Sequence, residues 1–230
     1  MKRLIIVTFF TCLLVPLCIS FSQAATITFE DLVTNQTTGT PYASIIEQGY
    51  TVAATSWYLY AHQDGWGTNS GSSNGTKYIM VGSTAPSLRV TKNDDGLFGI
   101  ASIDLSEHYN LTNLPHPDYV TYTATKFSFT GIKSDNTEIN ASFTMDGISD
   151  GTNGLADFET YLFGEEWSSL KALIVTPIND RDVWYADTYR YGGVDNIVVS
   201  ASQVPIPPSV WLLGAGLAGL VGLRRKFFRK

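Results

Sequence analysis

Several groups of residues have types and spacings that chemistry could use. His62-Gln63-Asp64 and His116-Pro117-Asp118 each place an imidazole two positions from a carboxylate, as in a base with its orienting acid or a pair of metal ligands. Both lie in polar loop sequence. Neither a Gly-x-Ser-x-Gly elbow nor a His-Glu-x-x-His helix accompanies them, so a nucleophile or zinc centre is not completed. Glu165-Glu166 offers paired carboxylates of the kind glycosidases use. With 21 acidic residues in the chain, however, some pair meets any distance requirement, and this one reads as a solvated turn. Asp146, Asp150, Asn153 and Asp157 form a second acidic stretch. It lacks the alternating ligands and sixth-position glycine of an EF-hand and reads as a solvated loop.

Aromatic residues offer a different chemistry. Trp57, Tyr58, Tyr60 and Trp66 flank a Gly-, Ser- and Asn-rich loop over His62 to Gly75. An exposed ring presents apolar area with a polar handle and can stack on a sugar, so Trp57, Tyr60 and Trp66 are candidate ligand contacts. The competing use of such rings is core or cross-strand packing, as in most β domains. Trp167, Trp184, Tyr185, Tyr189 and Tyr191 permit the same two uses.

The elements that must position these residues read as strands. In Glu138–Met145 the apolar Ile139, Ala141, Phe143 and Met145 share one face and their neighbours are polar, the period of a half-buried strand. Lys126–Thr130 alternates in the same way, and Ser134-Asp135-Asn136 between them is turn chemistry, so residues 121–145 are expected to form a hairpin. Further strands are expected over Thr26–Glu30, Tyr50–Tyr60, Lys77–Val81, Leu88–Thr91, Ile100–Leu105, Lys171–Pro177 and Val194–Ala201. Short strands separated by Gly, Asn, Asp and Ser clusters, with no helix-period stretch beyond two turns, predict an all-β class and a single β-sandwich.

The two ends have a different character. The stretch 25–203 carries 8 basic and 21 acidic side chains, a net charge of −13, while the other seven basic residues lie at the termini. So acidic a body is repelled by nucleic acid, which excludes that partner. Lys2-Arg3, the apolar run from Leu4 to Ile19 and the small residues before Ala25 have the layout of a secretory signal peptide over 1–24, cut between Ala24 and Ala25. Cys12 and Cys18 both fall inside it, so the mature chain has no thiol and no disulfide to form.

At the other end, Val204-Pro205-Ile206-Pro207 precedes an apolar segment containing Trp211, Gly214, Gly216, Gly219 and Gly222, followed by Arg224-Arg225-Lys226. From Pro208 to Leu223 a helix would span roughly 24 Å, short of the ~30 Å hydrocarbon core. The basic cluster places the tail on the cytoplasmic side and the body outside the inner membrane. This segment, 204–230, resembles the PEP-CTERM sorting signals of Gram-negative bacteria, in the variant that opens Val-Pro-Leu-Pro. The resemblance implies an exosortase, a membrane-embedded peptidase, as partner, and a mature form at the cell surface or outside the cell. The competing reading is a plain membrane-anchored ectodomain, and the shortness of the span favours the sorting signal.

The body, 25–203, opens with Thr28-Phe29-Glu30-Asp31 and closes with Gly193-Val194-Asp195-Asn196-Ile197. In this it resembles secreted jelly-roll domains, carbohydrate-binding modules among them, and its interior, with Ala101-Ser102-Ile103-Asp104-Leu105, Phe129-Thr130-Gly131 and Asp146-Gly147, resembles uncharacterised PEP-CTERM proteins. The resemblance implies neighbouring first and last strands and a structural calcium held by Glu30 and Asp195, the remaining ligands being backbone carbonyls. Taken together, these readings predict an exported, non-enzymatic surface or matrix protein associated with glycan or exopolysaccharide. The alternative is a secreted carbohydrate-active hydrolase.

Overall fold

The computed structural model describes residues 24–34, 39–63, 71–82, 87–107, 123–148, 150–151, 155–180 and 190–201. The predicted signal segment up to Gln23 and the whole sorting segment, Val204 to Lys226 included, lie outside the described residues. Ala24 is exposed, and Ala25 opens the first strand. Among the described residues no helix is long and apolar enough to cross a membrane.

The described chain is all β. In order, the strands are β1 (Ala25–Ile27), β2 (Thr40–Tyr42), β3 (Ser44–Glu47), β4 (Tyr50–Ala54), β5 (Leu59–His62), β6 (Tyr78–Val81) and β7 (Leu88–Lys92). They continue as β8 (Phe98–Glu107), β9 (Lys126–Lys133), β10 (Glu138–Thr144), β11 (Glu159–Leu162), β12 (Leu170–Ile178) and β13 (Gly192–Ala201). One antiparallel layer runs β2-β5-β6-β13-β8, with β11 added on β8. The other runs β3-β4-β7-β12-β9-β10. A single register pair, Leu170 with Phe98, joins them through β12 and β8. The chain repeatedly changes layer: β3–β4 lies in the second, β5–β6 in the first, β7 in the second, β8 in the first and β9–β10 in the second. This traffic gives a jelly-roll-like β-sandwich.

Alternation in the sequence decides which side chains fill the space between the layers. On β9, Phe127, Phe129 and Gly131 are buried while Lys126, Ser128 and Thr130 are half-exposed. The layers meet through rings: Tyr50 of β4 sits edge-on to Phe98 of β8 at 5.5 Å, and Phe129 of β9 stacks on Tyr161 of β11 at 4.8 Å. The β9–β10 hairpin closes as its turn residues require. Asn136 takes a positive φ and its N–H donates to the Lys133 carbonyl, while the Asp135 carboxylate accepts from the Thr137 N–H.

The first and last strands pair antiparallel, Ala25 with Val199 and Ile27 with Ile197, as the jelly-roll resemblance implied. Just beyond β1, Phe29 has a φ of 61° and a fully buried ring. Glu47 of β3 holds this bend, its carboxylate accepting from the Thr28 and Phe29 N–H groups and the Thr28 hydroxyl.

Two expected strands need correction: the one over Thr26–Glu30 ends with β1 at Ile27, because Phe29 leaves the extended region. Tyr50–Tyr60 is not one strand: it breaks into β4 and β5 at Thr55–Tyr58, where Trp57 adopts a φ of 61° that a strand cannot accommodate. The short strands β2, β3 and β11 were not anticipated.

Candidate functional site

The structure separates the predicted ligand contacts by exposure. Trp57 and Tyr58, in the bend between β4 and β5, are 71% and 46% exposed. On β5, Leu59 and Ala61 are buried on one face, so the intervening half-buried Tyr60 points to the other, which is covered further along at His62. Its register neighbours are Pro41 on β2 and Met80 on β6. Trp66, Trp184, Tyr185 and Tyr189 lie outside the described residues, as do Asp64, His116, Asp118 and Asn153. Trp167, by contrast, is core: it is 2% exposed and packs against Phe163 with ring centres 4.9 Å apart.

His62 is also an interior residue. It is 1% exposed, stacks on Tyr78 at 5.7 Å, and burial pulls its pKa down to about 4. An imidazole this enclosed has no path to a substrate proton, so its burial argues against the base-and-orienter reading of His62. Glu165-Glu166 is exposed in a 3-10 turn, as expected of a solvated turn.

Glu30 and Asp195 both bond to the Asn74–Lys77 segment. Asp195, fully buried on β13, accepts from Asn74 Nδ2 at 2.8 Å, Thr76 Oγ1 at 2.6 Å and the Asn196 N–H at 2.7 Å. Asn196 has a φ of 44°, where β13 loses register with β8 in a bulge. Burial pushes the Asp195 carboxyl up to about 6, against the pull of the Thr76 and Asn74 hydrogen bonds. Exposed Glu30 accepts from the Lys77 N–H at 2.9 Å. The Lys77 ammonium donates to the Glu30 and Leu32 carbonyls at 2.5 and 2.9 Å. A calcium ion at Asp195 would compete with the three donors that already hold its carboxylate, so this residue fits poorly the ion the resemblance implied.

A third cluster was not visible in the sequence. Glu107 at the end of β8, Asp146 after β10 and Glu159 at the start of β11 each bring a carboxylate oxygen within 4.8 Å of the others. The β8–β11 register places Glu159 beside Leu105, and Gly147 takes a φ of 75° to turn the chain over Glu107. Backbone N–H groups of this turn hold the three acids: Asp146 donates to Glu159, Gly147 to Glu107 and Ile148 to Asp146. Burial pushes the Glu107 carboxyl up to about 7, and Glu159 and Asp146 add like-charge repulsion. Glu159 and Asp157 are likewise raised, first by burial and then by neighbouring carboxylates. The solvated-loop reading of Asp146, Asp150 and Asp157 thus missed that the loop folds back on a buried acid of β8.

No family model matches the chain, and no curated protein matches it. Solved structures show distant likenesses. A mutant of the family 29 carbohydrate-binding module CBM29-2 is 9% identical, covering 79% of this chain and 93% of its own, with a TM-score of 0.33. Another mutant of that module, solved with mannohexaose, is 10% identical over 79% and 92%, with a TM-score of 0.31. A DUF4465 family protein from Bacteroides ovatus is 11% identical over 77% and 98%, with a TM-score of 0.40. The fold stands on its own strand order and register.

Proposed function

We propose that this chain is an exported, non-enzymatic surface or matrix protein whose sandwich associates with glycan through the β4–β5 bend. The carrying observation is Trp57: an indole 71% exposed, on a backbone at a φ of 61°, beside exposed Tyr58 and half-buried Tyr60. A bulky residue in the left-handed region costs on the order of 1–2 kcal/mol, a cost that gains nothing in the core because the ring is outside it. Such an exposed aromatic surface suits the apolar face of a sugar ring.

Trp57→Asn tests this reading. Asparagine tolerates a positive φ, so the variant is expected to unfold at the same temperature as the parent or a higher one. Its affinity for the producer's own exopolysaccharide, measured by affinity electrophoresis, is expected to fall by about tenfold, the loss of one stacking contact. Unchanged affinity refutes the assignment of the bend. Turnover in a panel of glycosidase substrates would favour the hydrolase reading instead.

For the tail, the proposal is sorting by an exosortase from the inner membrane to the surface. The support is the Pro205-Ile206-Pro207 motif, the short apolar span and the Arg224-Arg225-Lys226 cluster. Intact-mass spectrometry of surface protein from the native host is expected to show a chain ending near Pro205. A chain ending at Lys230 there means a permanent anchor.

A further inference from the structure

We propose that Glu107, Asp146 and Glu159 form a calcium site that fastens the turn after β10 to the β8–β11 pair. Two independent observations carry it. The first is convergence: residues from three separated stretches of sequence each bring a carboxylate oxygen within 4.8 Å of the others. That separation is no more than two opposite ligands of one ion at about 2.4 Å each, a calcium distance. The second is Glu107 itself. It is 2% exposed, and its Oε2 has no hydrogen-bond partner, although the other oxygen accepts from the Gly147 N–H. A buried carboxylate oxygen without a donor is costly, and a cation at the cluster would satisfy it.

The chemistry of the donors selects the ion. All three side chains offer oxygen and none offers nitrogen or sulfur, which favours a hard cation over zinc or copper. The charged groups that act on Glu107, Glu159 and Asp157 are one another together with Asp146 and Asp150, all carboxylates. A divalent charge would offset this repulsion. Three carboxylates, some of them bidentate, with loop carbonyls and water completing the shell, suit the flexible six-to-eight coordination of calcium. Magnesium demands a near-ideal octahedron at about 2.0–2.1 Å and gives up its waters reluctantly, which suits carboxylates from a strand end, a loop and a short strand less well. The site differs from the Glu30–Asp195 pair, whose acceptors already hold Asn74, Thr76 and Lys77.

The test uses the full chain, purified in mild detergent, stripped with EDTA, dialysed and titrated with CaCl2 by calorimetry. The expected result is one calcium per chain with a raised Tm. MgCl2 should bind at least about tenfold more weakly. Glu107→Gln keeps an acceptor for the Gly147 N–H, and Asp146→Asn changes an exposed position, so both should retain the parent's circular dichroism. Each should weaken calcium binding by at least about 100-fold. Glu30→Gln, at the exposed member of the other pair and still an acceptor for the Lys77 N–H, should leave the affinity within about twofold. The proposal is overturned by no calcium uptake, by equal affinity for magnesium, or by unchanged affinity in both Glu107→Gln and Asp146→Asn. Loss of binding in Glu30→Gln alone overturns it too, by placing the ion at the other pair.

Discussion

Replacing Phe129 with alanine is expected to remove about 3–5 kcal/mol of folding free energy. Phe129 is fully buried on β9. It stacks on Tyr161 at 4.8 Å with planes 19° apart and stands edge-on to Phe163 at 5.0 Å and 72°. Tyr161 and Phe163 cross at 4.8 Å and 89°, and Phe163 leans on Trp167 at 4.9 Å. Phe129 belongs to one layer, and Tyr161 lies on β11, paired to β8 of the other. The ring chain is therefore part of what holds the sandwich shut, with offset and edge geometries that aromatic quadrupoles favour. Gly131, two residues on and facing the same way, has no room for a side chain. A Cβ there would lie 2.8 Å from Ile139 Cγ2 and 2.9 Å from both Leu170 and Trp167. Neighbours packed this tightly cannot collapse into the hole left at 129, which puts the cost in the upper part of the cavity range. Against a typical domain stability of about 5–15 kcal/mol, the loss is large. Urea unfolding should show a lower midpoint at unchanged slope. Leu162→Ala, beside Tyr161 but 73% exposed, should stay within about 0.5 kcal/mol of the parent. A cost below about 1 kcal/mol for Phe129→Ala would mean that the two layers do not meet through this ring.

The strands legible in the sequence were those whose period survives folding. Ile139, Ala141 and Phe143 alternate with polar residues along β10 and lie half-buried on one side of it. Phe127 and Phe129 do the same on β9. The break inside Tyr50–Tyr60 was not legible, because Thr55-Ser56-Trp57-Tyr58 contains no glycine or proline and a non-glycine φ of 61° leaves no compositional mark. β11 was missed because Glu159–Leu162 is short and borrows its order from β8 through pairs such as Tyr161 with Ile103. The acidic cluster shows the same limit at the level of chemistry. Asp146 is flagged by its local acidic stretch, but Glu107 and Glu159 are brought to it by tertiary pairing that no spacing rule encodes. The unpartnered Glu107 oxygen is a property of burial, and burial at the last residue of β8 breaks the usual rule that glutamate is exposed. Similarly, Asp195 was legible as an acid in a closing strand motif, but the donors from Asn74 and Thr76 that saturate it were not.

Acidification is expected to destabilise the parent relative to His62→Gln by roughly 3 kcal/mol between pH 7.5 and pH 4. The ring is almost wholly enclosed, lies on Tyr78, and is so close to Gly39 that a Cβ there would be 2.7 Å from Cε1. Burial disfavours the charged form and lowers the pKa from 6.5 to about 4. The sign follows from proton binding: between these values the unfolded chain takes up a proton at His62 and the folded chain does not. The neutral ring's contribution is therefore complete above about pH 6.5, falls as the pH drops towards 4, and changes no further below it. Glutamine does not titrate, so its baseline cost is the same at every pH and only the difference between the two proteins carries the His62 signal. That difference is needed because Glu107 and Asp195, with pKa values raised to about 7 and about 6, act in the opposite direction and stabilise the fold as the pH falls. Urea titrations of both proteins in EDTA at half-unit pH steps supply the measurement. The gap at pH 7.5 should close, or invert, along a curve that bends near pH 6.5 and flattens near 4. A gap that stays constant across the range would show that His62 is solvated in the folded chain, which would remove it from the wall of β5 and β6.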